Sequence, residues 1–399
     1  MTRSWYVIIA VSAAIFLVNY VLPSDLNNWT KTLNFSLDPI LQDDIMQTET
    51  EWKLNDSEFG RRPFMVSIMQ YGTRWTGLPS PLFFTLIQFL GYVLCLLALH
   101  RLTQRVWPDK AVSPLTLLPF ILVFPNLFLF TAHAHTYDDL YQYLLLLIVL
   151  YGAIDRRPLL ALACAAAACV VRETSLLCLP VLAYLLWQRT SWSPVGAIIA
   201  CGFAGLAALL FLYSYVPNDL AQESMAFTQT TRFFAWRANF RDYVRINETL
   251  ILTIIILAPF LLLAYRYREE IRQTPVQRDL VYSAIFLALS NTTAVYITAM
   301  AREARLLLLP LLPLLPVVSP FLQQEWTGGT LRWQTYSVRE WCAALLGAIV
   351  ATLLYQPSVG GTGYFYRFYV FCWVGIWILI FRRLYSGAGQ EIKASHFPS

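Results

Sequence analysis

Apolar runs long enough to cross a bilayer recur from one end of the chain to the other, and no other feature constrains its fold as strongly. A hydrocarbon core about 30 Å thick needs roughly 17 to 25 apolar residues per helix. Such stretches fall at 5–22, 79–100, 114–132, 138–153, 158–171, 174–187, 194–216, 249–265, 280–298, 304–322, 341–355 and 364–381. The expectation is an all-α integral membrane protein with about twelve transmembrane helices, the fourth to sixth short and the sixth containing Pro180. Composition agrees: 57% of the residues are hydrophobic and 13% charged, where a soluble domain carries about 25% charged residues. Backbone groups in lipid must pair within the chain, which leaves helices or a closed barrel. The runs lack the period-two alternation of barrel strands.

Orientation follows from Arg and Lys in the short loops. One set holds Arg3, Arg101, Arg105, Lys110, Arg156, Arg157, Arg189, Arg266, Arg268, Arg272, Arg278, Arg332, Arg339, Arg382, Arg383 and Lys393. That set is expected to be cytoplasmic, with both termini inside. The opposite side receives two long loops, 23–78 and 217–248, and short turns with Arg172, Arg302, Arg305 and Arg367. The first helix reads as retained, since no small-residue cleavage site follows Tyr20 to Pro23. All seven cysteines fall inside the apolar stretches, so no disulfide framework or metal cage is indicated. A Walker loop, a dinucleotide fingerprint, short repeats and low-complexity linkers are missing from the sequence. Residues 1–399 therefore read as a single polytopic domain with lipid, rather than nucleic acid, as its surroundings.

Without a soluble module, chemistry must use residues at the outer membrane face. Acids accumulate there: Asp43 and Asp44 in the first loop, Asp138, Asp139, Glu173 and Glu303 in short turns, and Asp242 and Glu248 near the second long loop. In "SLDPILQDDIMQTETEWKL", Ile40, Leu41, Ile45, Met46 and Trp52 alternate with polar residues as in a helix lying in the interface. The following "GRRPF" offers Arg61 and Arg62 as interfacial anchors or as phosphate ligands suited by their fixed fork of donors. "VRETS" and "AREAR" bring Arg172, Glu173, Arg302, Glu303 and Arg305 close to hydrocarbon, where charge is costly unless paired or beside a polar cavity. Ion pairs tying neighbouring helices are the structural alternative. In the second long loop Arg237, Arg241 and Arg245 recur every fourth residue, as on one face of an interfacial helix.

"HAHTYDDLYQYLLLL" combines two histidines with two carboxylates. A divalent cation at His133 and His135 is the weaker reading, because H-x-H lacks the helical i, i+4 step; one histidine, with His135 the candidate, donating a hydrogen bond to substrate or phosphate, or simply lining a polar turn, is preferred. Thr136 followed three positions on by Asp139 has capping-box spacing, and helix dipoles favour acids at this end. On that reading Asp139 is a cap and Asp138 is freer to meet substrate.

These parts together resemble the GT-C fold of polytopic glycosyltransferases. The resemblance rests on the large outer loop with Asp43 and Asp44, the Arg62-Pro63 step into the second helix, Asp138 and Asp139 opening the fourth, the "RET" turn at 172–174 and the "AREAR" turn at 301–305. It implies residues 1–217 as a GT-C-like core module and 218–399 as variable helices. It also implies an inverting glycosyltransferase of a bacterial inner membrane, with its site on the periplasmic side and a polyprenyl-phosphate-linked sugar as donor. The acceptor would be a glycan, lipid or protein of the envelope, and no further cofactor is implied. Asp43 or Asp44 would be the general base, and Asp138 or Asp139 would orient acceptor or base. Arg172, Arg302 and Arg305, with Arg61 or Arg62, would hold the carrier phosphate. Adjacent acids at 43 and 44 depart from a single-acid first-loop motif and leave the base unassigned between them. A polysaccharide polymerase or ligase using lipid-linked glycans, or a lipid or solute transporter, is the alternative. A transporter would place its ionisable residues near the midplane, whereas here they sit at helix ends.

Overall fold

The computed structural model describes residues 2–21, 38–55, 63–123, 125–126, 138–215, 235–298, 307–329, 331, 336–356 and 363–385. Among these the secondary structure is helical, with no strand. In chain order the helices are α1 (Thr2–Val21), α2 (Pro39–Asn55), α3 (Pro63–Thr76), α4 (Ser80–Val106), α5 (Leu118–Leu122), α6 (Asp139–Ile154), α7 (Pro158–Val171) and α8 (Leu179–Arg189). There follow α9 (Pro194–Tyr215), α10 (Ala235–Asn239), α11 (Tyr243–Arg266), α12 (Arg268–Gln273), α13 (Pro275–Thr298), α14 (Leu311–Thr327), α15 (Val338–Leu354) and α16 (Gly363–Tyr385). Among the described residues five stretches are long and apolar enough to cross a membrane: Ser80–Val106, Pro194–Ser214, Tyr243–Arg266, Pro275–Ile297 and Tyr366–Tyr385. Shorter apolar helices cover Trp5–Ala14, Asp139–Ile154 and Pro158–Val171. Among the described residues the protein is all-helical, and its long apolar helices mark it as membrane-embedded.

Several helix expectations need correction. The stretch 114–132 is not one α-helix: Pro114–Leu117 is a 3-10 turn, α5 is five residues long and Val123 after it is extended. The stretch 174–187 is not one α-helix: Glu173–Cys178 is a 3-10 turn, and α8 begins at Leu179. Proline has no N–H and is tolerated in a first turn but not deeper, so Pro180 fixes where the α-helix can start. Nor do Arg237, Arg241 and Arg245 share one helical face. The chain bends at 240–242 between α10 and α11, where the Asp242 carboxylate accepts from the Arg245 N–H at 3.0 Å and caps α11. A capping aspartate starts a new helix rather than continuing an old one.

The helices bring like ends together. At one end the Arg105 guanidinium meets Asp155 at 2.9 Å, and Asp155 also holds Arg157 at 2.7 Å. The Tyr184 hydroxyl donates to Asp279 at 3.0 Å, Arg189 pairs with the same carboxylate, and Tyr267 donates to Glu325 at 2.6 Å. Arg101 lies over Trp5, which puts the start of α1 at this basic end. At the opposite end Asp43 reaches the start of α4, Asp139 reaches Arg172, and the Tyr369 hydroxyl donates to the Leu122 carbonyl. Here α3 presents Tyr71, Arg74 and the almost fully exposed Trp75 (95%), an aromatic and cationic face suited to the headgroup layer.

The centre of the bundle is α14, buried on all sides from Leu311 to Phe321, as expected of a helix apolar all round. Its prolines create a problem that other helices solve. Pro320 cannot donate to the Pro316 carbonyl four residues back, and Pro259 in α11 likewise leaves the Ile255 carbonyl without its helical donor. Lipid offers no replacement. The Trp107 indole N–H donates to the Pro316 carbonyl at 3.0 Å, and the Trp373 indole N–H to the Ile255 carbonyl at 2.9 Å. Trp373→Phe keeps an aromatic ring but loses the donor, and is expected to cost about 1–3 kcal/mol, measured as a fall in melting temperature. Adding Pro259→Ala, which restores a backbone donor to Ile255, should shrink that cost. Trp377→Phe is the control, because the Trp377 indole N–H has no partner among the described residues.

The hairpin of α15 and α16 starts with a capping box. Ser337 accepts from the Glu340 N–H at 3.3 Å, and the Glu340 carboxylate accepts from the Ser337 N–H at 2.7 Å. Burial alone would raise the Glu340 pKa, but the two Ser337 donors, with Arg383 and Arg382, hold it below the usual carboxylate range. A lowered acid stabilises the fold fully above its unfolded pKa, and the contribution disappears as pH falls through the folded value. The melting-temperature gap between wild type and Glu340→Gln should therefore be widest near neutral pH and close on acidification.

Candidate functional site

Polar side chains at the acidic end are built into two adjoining groups. The first is set by α6, α7 and the 3-10 turn after α7. α6 approaches α4 closely at Gly91, where a Cβ would meet the Tyr141 ring at 3.2 Å. The Tyr141 hydroxyl donates to the Ile87 carbonyl at 2.8 Å and the Cys95 thiol to the Leu140 carbonyl at 3.1 Å. These contacts fix the first turn of α6, and with it Asp139. Arg172, directly after α7, leaves the helix in extended conformation and pairs with the Asp139 carboxylate. Asp139 is fully buried (0%) and Arg172 nearly so (7%).

One turn further along α6, Gln142 donates to the Thr174 and Ser175 hydroxyls, both at 2.9 Å, and Ser175 donates back to the Ala168 carbonyl at 2.9 Å. The "RET" turn is thus tied to α6 at two levels, by charge at Asp139 and by hydrogen bonds at Gln142. Asp138 occupies the N-cap position of α6 without a side-chain capping hydrogen bond and is buried. Glu173 begins the 3-10 turn and is partly exposed. The Asp139 carboxylate faces Arg172; Thr136, its partner in the expected capping box, lies outside the described residues.

The second group rests on α2, α3 and the start of α4. Met46, Met65, Val66, Met69 and Phe84 form a small apolar core of their own, with Phe64, Phe83 and Tyr141 packed against it. The Phe64 and Tyr141 rings lie 5.8 Å apart, so the first-loop helices sit against the beginning of α6. Asp43 projects from α2 to the start of α4, where one carboxylate oxygen accepts from the Ser80 N–H at 2.8 Å. The other accepts from the Gln47 side chain at 3.2 Å. Pro79 precedes α4 and supplies no side-chain cap, so the cap comes from a residue 37 positions earlier. Asp44 is exposed. The adjacent acids are therefore unlike: one is oriented at a helix N-terminus and the other faces outward.

Arg61, Arg62, His133, His135, Thr136, Arg302, Glu303 and Arg305 lie outside the described residues. Among the described residues no group of three or more His, Cys, Asp or Glu side chains is placed to hold a metal ion. Sequence reasoning missed Gln142 and Ser175. A signal was available, because Gln142 follows Asp139 by three residues on the same helical face and is the one polar amide in an otherwise apolar run. No protein-family model, curated protein or solved structure matches the chain.

Proposed function

We propose that this protein is a GT-C-type glycosyltransferase that moves a sugar from a polyprenyl-phosphate carrier to an outward-facing glycan, lipid or protein acceptor. On this reading the chain has about twelve transmembrane spans in a bacterial inner membrane, with both termini cytoplasmic and the acidic end periplasmic. The observation that carries the reading is the buried Asp139–Arg172 pair at the same end of the bundle as the oriented Asp43. Transfer to an acceptor hydroxyl forms a bond between its oxygen and the anomeric carbon while the bond from that carbon to the phosphate oxygen breaks. The bonding electrons leave with the phosphate and the hydroxyl proton needs a base. A positioned carboxylate and a cationic clamp are the two groups such a reaction requires. Asp43, fixed by Ser80, is the better base of the adjacent acids. Arg172, steered by Asp139 and by the turn that Gln142 anchors, offers its guanidinium to the carrier phosphate, with Arg61, Arg62, Arg302 and Arg305 as further cations. Asp138, His135, Glu173 and Glu303 are assigned to orienting the substrates.

The basic end supports the orientation, since Arg and Lys gather there as they do on cytoplasmic faces. The direct test supplies purified protein in lipid nanodiscs with a panel of polyprenyl-phosphate sugars and an envelope-lipid extract. Release of polyprenyl phosphate coupled to sugar transfer is the expected result. Translocation of the carrier with its sugar still attached would replace this reading with that of a lipid transporter.

A further inference from the structure

We propose that Glu248 contacts the sugar of the carrier-linked substrate, an inference that rests on the carrier reading above. Glu248 lies in the second turn of α11, at the acidic end, and is only 5% exposed. It shares the buried face of α11 with Leu252, Ile255 and Pro259. Its carboxylate makes no hydrogen bond or ion pair with any described residue.

The polar groups around it are already committed to one another. Thr249 donates to the Asn239 carbonyl at 3.4 Å, Asn239 donates to the Tyr296 carbonyl at 3.1 Å, and Thr253 lies 2.8 Å from the Tyr296 hydroxyl. Glu248 is left out of this network, and a carboxylate on a largely buried residue is costly unless something completes it. Ionisable residues in membrane helices that lack a structural partner are functional by default. The residue before it provides an independent observation: the Asn247 side-chain N–H group is buried and has no partner among the described residues.

Consecutive positions of α11 thus hold an acceptor and a donor that the fold does not use. A bare cation would satisfy the carboxylate and leave the amide N–H unmatched. Neighbouring hydroxyls of a sugar satisfy both, one donating to Glu248 and the next accepting from Asn247. The Phe240 and Tyr296 rings, edge to face at 5.4 Å, give this end of α11 the aromatic surface that the apolar face of a sugar packs against.

The test compares binding of bare polyprenyl phosphate with a panel of polyprenyl-phosphate hexoses and pentoses to the full-length protein in nanodiscs. Native mass spectrometry reads both affinities. Wild type should favour at least one sugar-bearing carrier by about 10- to 100-fold, the effect of hydrogen bonds to a charged group. Glu248→Leu should erase that preference and leave the affinity for bare carrier unchanged. Glu248→Gln, which keeps size and one acceptor, should retain part of it and control for folding. If both variants keep the wild-type preference, or wild type binds bare carrier but prefers no sugar, the Glu248 assignment is overturned while the carrier reading stands. If wild type binds neither form, the carrier reading fails and takes Glu248 with it.

Discussion

Arg172→Leu is expected to destabilise the protein by about 3–5 kcal/mol, because it leaves the Asp139 carboxylate buried without its cation. Removing one member of a buried pair costs more than removing both, since the surviving charge keeps its desolvation penalty and loses its compensation. The double variant Asp139→Leu with Arg172→Leu should therefore recover most of the melting temperature lost in the single one. Arg172→Lys keeps the charge but not the planar fork, and should fall between them. Stability and activity separate here. If the pair were only a tie between α6 and α7, the double variant would regain transfer together with its melting temperature. On the proposed mechanism it regains stability and stays inactive, because the phosphate has lost a cation. Melting curves and transfer assays on the same three preparations decide between these outcomes.

Some helix ends and the membrane character were legible in the sequence because they follow from local physics, whereas the runs at 249–265 and 304–322 miss the starts of α11 and α14. The apolar run at 158–171 coincides with α7, and the run at 194–216 differs from α9 by one residue. The amphipathic stretch of the first long loop is helical, as α2, with Ile40 and Leu41 exposed and Met46 buried. The even distribution of Arg and Lys over alternate loops anticipated a basic end, which the contacts of Asp155 and Asp279 bring together. What the pattern could not carry was pairing over distance. Thr136 and Asp139 have capping-box spacing, yet an aspartate at the start of a helix can equally face a neighbouring arginine. The choice depends on how closely α6 approaches α4 and α7, at Gly91 and at Gly152. The approach of Gly91 to Tyr141 lies beyond any local sequence window.

The same limit explains Asp43, whose capping partner is remote in sequence. A proline before α4 signals a helix start without saying which side chain will cap it. Glu248 was visible only as one acid among many near the second long loop. Its isolation becomes apparent once Thr249 and Asn239 are seen committed to other partners. The indole N–H bonds of Trp107 and Trp373 are likewise unreadable from sequence, although Pro259 and Pro320 announce that some donor must be found.

Asp43→Asn is expected to reduce transfer by about 10²- to 10⁴-fold, the range for loss of a positioned general base, with little change in melting temperature. The asparagine side-chain oxygen can still accept from the Ser80 N–H, so the cap on α4 survives, and Gln47 can turn its amide to meet the new one. Asp43→Ala removes the cap as well and should cost about 1 kcal/mol more. Asp44→Asn alters an exposed side chain and should leave transfer and melting near wild type. A reversed result, with Asp44→Asn inactive and Asp43→Asn active, would make Asp43 a purely structural cap and move the base one residue along. Full transfer by the Asp43→Asn, Asp44→Asn double variant would remove the first-loop base altogether. The comparison is informative because helix capping needs only an acceptor atom at Asp43, whereas proton abstraction needs its charge.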